Sequence, residues 1–168
     1  MKNLYLIRHA KSSWSEPGLS DFERPLNHRG NRDAPFMAKL LKEKNVIPDK
    51  IISSRAVRAY STAKVFAAEL NYPVENIETS QNIYEAGAGE ILSIIQSVNN
   101  NVNTLLLFGH NPGFTSLSNY LSDRQIDNIP TCGISCITFK SKLWSDVNIN
   151  QGKLIAFEFP KKYFKHSD

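Results

Sequence analysis

Leu4-Tyr5-Leu6-Ile7-Arg8-His9-Ala10 is the stretch on which the reading of this chain turns. Leu4, Leu6 and Ile7 make a short apolar run with Tyr5 inside it. A run this short beside the N-terminus reads as a buried strand rather than as a helix. It stops abruptly at Arg8 and His9, so a strand end carries two polar, chemically useful side chains. In an open α/β sheet, ligands bind at the carboxyl ends of the strands. Taken alone, the pair reads equally well as a surface arginine beside a half-buried histidine, because a motif needs its structural context.

The rest of the chain supplies that context. A second strand-like run over residues 104–108 ends in Gly109-His110, followed by Asn111, Pro112, Gly113 and a helical pattern. Between the two, Lys50-Ile51-Ile52-Ser53 reads as a further strand. Ser53-Ser54-Arg55-Ala56-Val57-Arg58 joins it to a helix. Two strands thus each end in a histidine, and arginines open a helix nearby. That combination suits an anion, which a helix N-terminus also favours.

Helical faces are marked by Ala34, Met37, Ala38 and Leu41, by Ala59, Thr62, Ala63, Phe66 and Leu70, and by Ile91, Ile94, Ile95 and Val98. Asn27 is placed to cap the first of these. Pro35 inside it should bend the helix without ending it. Asn111 is placed to cap the helix in which Phe114, Leu117, Tyr120 and Leu121 face inward, with Pro112 at its first position. Ile77 reads as the site of a brief edge strand. Two late β runs, over residues 134–139 and 153–159, are set to pair across residues 140–152. Residues 11–27 read as a loop over the strand ends. Trp14 within it either walls a pocket or anchors the loop. The alternation of strands and helices predicts a three-layer α/β/α sandwich with a largely parallel central sheet.

The chain of 168 residues fits one domain over residues 1–168, with residues 160–168 as an exposed, solvated tail. A hydrophobic content of 41% and a charged content of 21% are those of a soluble globular protein. The net charge of +4 leans toward anionic ligands without pointing to nucleic acid. No apolar run approaches a membrane span and the N-terminus has no signal-peptide pattern, so the expectation is a cytoplasmic protein with no membrane partner. Cys132 and Cys136 read either as small buried hydrophobes in a reducing compartment or as a disulfide; too few ligands lie near them for a metal site.

Arg8-His9-Ala10 resembles the Arg-His-Gly signature of the histidine phosphatase superfamily, which includes the phosphoglycerate mutases and acid phosphatases. Arg58-Ala59 with Thr62-Ala63 is similar to its second motif, and Gly109-His110-Asn111-Pro112-Gly113 to its third. Asp21-Phe22-Glu23-Arg24-Pro25-Leu26, with Gly30 following, resembles the SixA-like phosphohistidine phosphatase branch. The departure is Ala10, which stands where the family has glycine and leaves less backbone room. The resemblance implies the phosphoglycerate mutase-like fold, with His9 as a nucleophile that forms a phosphohistidine and His110 as a hydrogen-bond donor to the transferring group. Arg8, Arg58, His110, Arg24 and Asn111 are the candidate substrate-binding residues. Arg55 competes with Arg58, and motif position favours Arg58. Arg24 either edges the pocket or forms an ion pair with Asp21 or Glu23 that shapes the loop. Glu85 lies where many relatives carry an acidic residue, and is either the general acid or a solvated carboxylate. His28 and His166 read as surface residues.

Phosphoryl transfer asks chiefly for positioning and for neutralised oxygens, which paired guanidinium donors supply. No metal or other cofactor is required, because arginines and histidines supply the positive charge. The expected function is a metal-independent phosphatase working through a phosphohistidine intermediate. Its expected substrate is a phosphorylated one, with a phosphohistidine-bearing signalling protein in view. A small-molecule phosphomonoesterase, a mutase and a non-catalytic phosphoprotein-binding module are the rivals. A mutase must keep water from the phosphoenzyme, and this compact chain has no obvious insertion to do so. A binding module has no need of a nucleophile.

Overall fold

Six strands form one mixed sheet in the order β3-β2-β4-β1-β5-β6. In chain order these are β1 Lys2–Arg8, β2 Lys50–Ser54, β3 Glu78–Ser80, β4 Thr104–Gly109, β5 Ile134–Phe139 and β6 Lys153–Glu158. The computed structural model describes residues 1–164. β1 and β2 both run parallel to β4, and β3 parallel to β2, whereas β5 and β6 are antiparallel. The helices are α1 His28–Glu43, α2 Val57–Glu69, α3 Ala88–Gln96 and α4 Gly113–Leu121.

The sheet is covered on both faces because its central strands are apolar on both. Along β1, Leu4 and Leu6 join the core with α3 and α4, and Ile7 joins the core with α1 and α2. β4 alternates likewise, with Leu105 and Leu107 on one side and Leu106 and Phe108 on the other. This is the near-continuous hydrophobic run that a strand buried on both faces needs. The expected α/β/α layering is therefore present, with two antiparallel strands completing one edge of the parallel part. The late β runs pair as expected, but β6 ends at Glu158 and Phe159 lies beyond it.

Local signals hold in most places. Asn27 caps α1, its Oδ1 accepting from the Gly30 amide at 2.9 Å. Pro35 lies on the exposed side of α1, where water can replace the amide it lacks, and the helix runs on to Glu43. The brief edge strand forms just after Ile77. Three expectations are corrected. Pro112 precedes the helix instead of opening it, and Asn111 Oδ1 accepts from the Thr115 amide and hydroxyl at 3.2 and 2.8 Å. Tyr120 is 40% exposed, its hydroxyl reaching Asn148 Oδ1 at 3.2 Å, so it is not an inward residue. The solvated tail does not begin at Pro160. Pro160 is buried, and the Phe164 ring packs on Phe36 with centroids 4.6 Å apart beneath the Arg32 guanidinium. Residues 165–168, with His166, lie outside the described residues.

Residues 11–27 form a loop pinned at its neck. Ser12 bridges Leu26, Ser13 N–H donates to the Pro25 carbonyl, and Asn27 N–H donates to the Lys11 carbonyl. Gly30 fits this neck because a Cβ there would collide with the Lys11 carbonyl. The first turn of α1 thus sits directly on the chain leaving β1. A Gly30→Ala variant should lose about 1–3 kcal/mol of stability through overpacking, seen as a lower urea midpoint. An unchanged midpoint would mean that the neck yields freely.

Candidate active site

The register of β1 on β4 sets Arg8 opposite Gly109, so the next residues, His9 and His110, leave the sheet side by side. The His9 amide extends the ladder by donating to the Gly109 carbonyl at 3.0 Å. The two rings have centroids 5.2 Å apart and planes inclined by 50°. Both are buried. His9 Nδ1 lies 2.7 Å from the Ala10 carbonyl oxygen. A carbonyl only accepts, so Nδ1 carries the ring proton and Nε2 presents a lone pair. Burial lowers the His9 pKa to about 3; the Ala10 hydrogen bond opposes this, and the charges of His110, Arg58 and Arg8 add to it.

His110 is held by its other nitrogen. Its Nε2 lies 2.8 Å from Ser54 Oγ, which accepts the Ala56 amide proton at 3.1 Å. Ser54 is fully buried, and among the described residues its hydroxyl proton has His110 Nε2 as its acceptor. That arrangement sets the neutral ring's proton on Nδ1. Burial lowers the His110 pKa to about 4, with Arg58 and Arg8 adding to the shift and Asp21 opposing it. Both imidazoles are therefore neutral near pH 7.

Three guanidinium groups surround the pair. Arg8 Nη1 donates to the Ile129 carbonyl at 3.0 Å. Arg58, buried in the first turn of α2, donates from Nη1 to the Asp21 carbonyl at 2.7 Å and from Nη2 to Asp21 Oδ2 at 3.0 Å. Arg24 is buried, with Nε 3.3 Å from Asp21 Oδ1 and its guanidinium 3.4 Å above the Trp14 ring. Both alternatives for Arg24 hold at once: it pairs with Asp21 and it lines the cleft. Asp21 also accepts from the Tyr84 hydroxyl at 2.6 Å. That bond, together with Arg58 and Arg24, holds its carboxyl below the usual range despite some desolvation.

A cleft of about 250 Å³ is lined by Arg8, His9, Arg24, Arg58, His110 and Asn111, with Lys11, Ser12, Trp14 and Thr131 completing its wall. Five buried side-chain nitrogens lack a hydrogen-bond partner among the described residues. They are Arg8 Nε, Arg24 Nε and Nη1, Arg58 Nε and His110 Nδ1, and every one belongs to a residue of this cleft.

Six of the seven residues singled out in the sequence thus line one cleft. Asn111 does so with its amide already committed, Nδ2 donating to Asn128 Oδ1 and the Ile129 carbonyl, both at 2.8 Å, and Oδ1 holding Thr115. It shapes the wall more than it offers donors. The seventh, Glu85, is exposed at φ 59° and does not line the cleft. Its neighbour Tyr84 takes the inner position, its ring edge-on to His110 with centroids 5.5 Å apart. Arg55 is also outside the cleft, with Nη1 3.5 Å from Gln81 Oε1. Ser54, Tyr84 and the reach of Asp21 to Arg58 are not singled out by the sequence, whereas the pairing of Asp21 with Arg24 is one of the two alternatives it offers. Ser54 was recoverable as a hydroxyl on the strand end beside His110; nothing in the sequence set Tyr84 above Glu85.

Comparison with known proteins identifies the family. Residues 4–97 match the model of the histidine phosphatase superfamily, branch 1. The uncharacterised protein Rv1276c of Mycobacterium tuberculosis is 30% identical over 165 residues, covering 92% of this chain and 100% of that protein. The uncharacterised chloroplastic protein At3g52155 of Arabidopsis thaliana is 29% identical over 153 residues, covering 86% of this chain and 70% of the relative. The crystal structure of the putative phosphohistidine phosphatase SixA from Agrobacterium tumefaciens superposes with a TM-score of 0.79. It is 27% identical and covers 95% of this chain and 98% of its own. The matched model, the relative covered along its whole length and the superposed sheet place this chain in branch 1 of the histidine phosphatase superfamily, as a phosphatase.

Proposed function

We propose that this phosphatase hydrolyses protein phosphohistidine through a phosphorylated His9, without a metal. The observation that carries the reading is the gathering of Arg8, Arg24, Arg58 and His110 around one cleft beside an unprotonated His9 Nε2. An anion with several oxygens meets clustered guanidinium groups with charge-assisted hydrogen bonds. Arg8 and Arg58 bind the phosphoryl oxygens and supply the positive charge that a metal would otherwise bring. His9 Nε2 attacks phosphorus while the bond to the leaving nitrogen breaks. His110 donates from Nδ1 to an oxygen of the transferring group. Water then attacks the phosphohistidine and releases inorganic phosphate.

The substrate follows from the leaving group. An alkoxide needs a general acid, whereas a departing imidazole takes a proton readily from solvent. Glu85 stands outside the cleft, and Asp21 is ionised and clamped to Arg58 and Tyr84, so the described wall offers no protonated carboxyl. That supports phosphohistidine, as do the 27% identity to the SixA structure and the Asp21 to Leu26 motif. A phosphohistidine-bearing signalling protein is the partner of this reading. Among the described residues no helix is long and apolar enough to cross a membrane. Two free buried thiols, Cys132 and Cys136, suit the cytoplasm.

Rapid-quench turnover of a phosphohistidine protein, beside an alkyl phosphate and in the presence of a chelator, tests the proposal. The expected result is an acid-labile, base-stable phosphoenzyme, absent from a folded His9→Ala variant that no longer turns over. The alkyl phosphate should be much the slower substrate. Turnover by His9→Ala would remove His9 from the mechanism, and a faster alkyl phosphate would overturn the choice of substrate.

The hydroxyl beside His110 generates a second expectation. Ser54→Ala removes the group that fixes the ring tautomer, so kcat should fall roughly 10–100-fold with little change in KM. Nitrogen chemical shifts should show His110 divided between its two tautomers. An unaltered tautomer would limit Ser54 to packing.

The histidines also tie stability to pH. An unfolded histidine titrates near about 6.5, whereas folded His9 does so at about 3. Between these values the unfolded chain binds the extra proton, so this contribution is complete above about 6.5 and is lost as pH falls toward 3. In urea unfolding, His9→Asn should therefore lose less stability than the unmodified protein across that window. Parallel pH profiles would show that His9 carries none of the acid sensitivity.

A further inference from the structure

A second cleft, of about 230 Å³, adjoins the one that holds His9. The two share Arg8, Lys11 and Thr131 in their walls. The second adds Arg29 and Lys161 as cations and Asp33 as its carboxylate. Asp33 is buried and already neutralised: its Oδ1 accepts from Arg32 Nε and Nη2 at 2.9 and 2.8 Å, and Arg29 Nε stands 4.0 Å from its Oδ2. Arg29 Nη2 also donates to Thr131 Oγ1 at 3.3 Å, which holds the guanidinium at the boundary between the clefts. Among the described residues neither Lys11 nor Lys161 has an ion-pair partner.

Four cations around one small cleft repel one another, and the paired Asp33 offsets little of that. An anion placed among them relieves the repulsion and gains charge-assisted hydrogen bonds. An apolar side chain does neither. Because the clefts share Arg8, a group in the second lies one side chain away from a phosphoryl group held against His9.

We propose that the second cleft binds a second anionic group, a carboxylate or a phosphate, carried by the same substrate that presents its phosphoryl group to His9. This rests on the phosphatase reading of the first cleft and names a feature of its substrate. Arg8 bridges the two anions, Arg29 and Lys161 face the second, and Lys11 serves both.

Two pairs of substrates test this. One pair is a phosphohistidine peptide with Glu or Gln next to the phosphorylated residue. The other is a small bisphosphate and the monophosphate of the same skeleton. At low salt, kcat/KM should favour the doubly anionic member of at least one pair by roughly tenfold, and added salt should erode the advantage. Arg29→Gln/Lys161→Gln, which alters residues of the second cleft alone, should abolish the preference while leaving the singly anionic partner unaffected. Lys161→Glu, which leaves Arg29 on Thr131, should reverse the preference. A preference confined to the peptides identifies the anion as a carboxylate, and one confined to the small pair identifies it as a phosphate. No preference in either pair, or variants that slow all four substrates alike, would overturn the proposal. Failure to hydrolyse either peptide, with the bisphosphate preference intact, would overturn the phosphohistidine reading and leave the second subsite standing.

Discussion

The parallel, in-register pairing of β1 with β4 is the constraint from which the site follows. It brings together two residues a hundred positions apart in sequence, His9 and His110, without any loop having to aim them. The pairing is secured where the histidines emerge. The His9 amide bonds to the Gly109 carbonyl, and the carbonyls of Arg8 and His9 both receive the Cys132 amide from the neighbouring segment. Below this point, Leu4, Leu6, Leu105 and Leu107 are fully buried, so slippage by one residue would turn apolar side chains onto the wrong face. Core packing thus fixes the spacing of the two rings. Gly109 belongs to the same arrangement, since a Cβ there would strike Phe114 and Ile83.

A single exposed carboxylate organises the cationic half of the cleft. Asp21 meets Arg58, Arg24 and Tyr84 at once, and the loop bearing it is closed at its neck by the bridge between Ser12 and Leu26. Without it, Arg58 and Arg24 would face each other with no charge between them. The value of each bond is reduced by solvent, because half of the Asp21 side chain is accessible. Its effect is mainly geometric: it orients Arg58 by two donors.

The fold and the heart of the site were legible because the strongest apolar runs end directly in the chemical residues. Periodicity found the strands, and strand ends found His9, Arg8 and His110. What escaped reading depended on competition between neighbours in space. Glu85 and Tyr84 are adjacent, and the sequence favoured the carboxylate. Tyr84 takes the place beside His110 and its hydroxyl reaches Asp21, while Glu85 is exposed at a left-handed φ of 59°. The residues after Pro160 looked like a solvated basic tail, yet Phe164 finds Phe36 and covers it. Ala10 in place of glycine is accommodated because its methyl joins the core with α1 and α2, while its amide donates to Thr62 Oγ1 at 3.0 Å.

Thr62 carries that accommodation into the site. Its hydroxyl accepts from Ala10 and donates to the Arg58 carbonyl at 2.7 Å, so one side chain joins the end of β1 to the first turn of α2. The backbones bearing His9 and Arg58 are therefore locked together by a fully buried bond, independent of any ligand. A preformed cleft of this kind keeps several buried donors unsatisfied, each at a cost of about 1–3 kcal/mol. A surface free to relax would turn those donors to water or to one another. Here Asp21, Ile129, Thr62 and Ser54 hold the residues that line the cleft, so their side chains keep their places around it. Charge held in place before any ligand arrives is the condition that electrostatic stabilisation of a transition state requires.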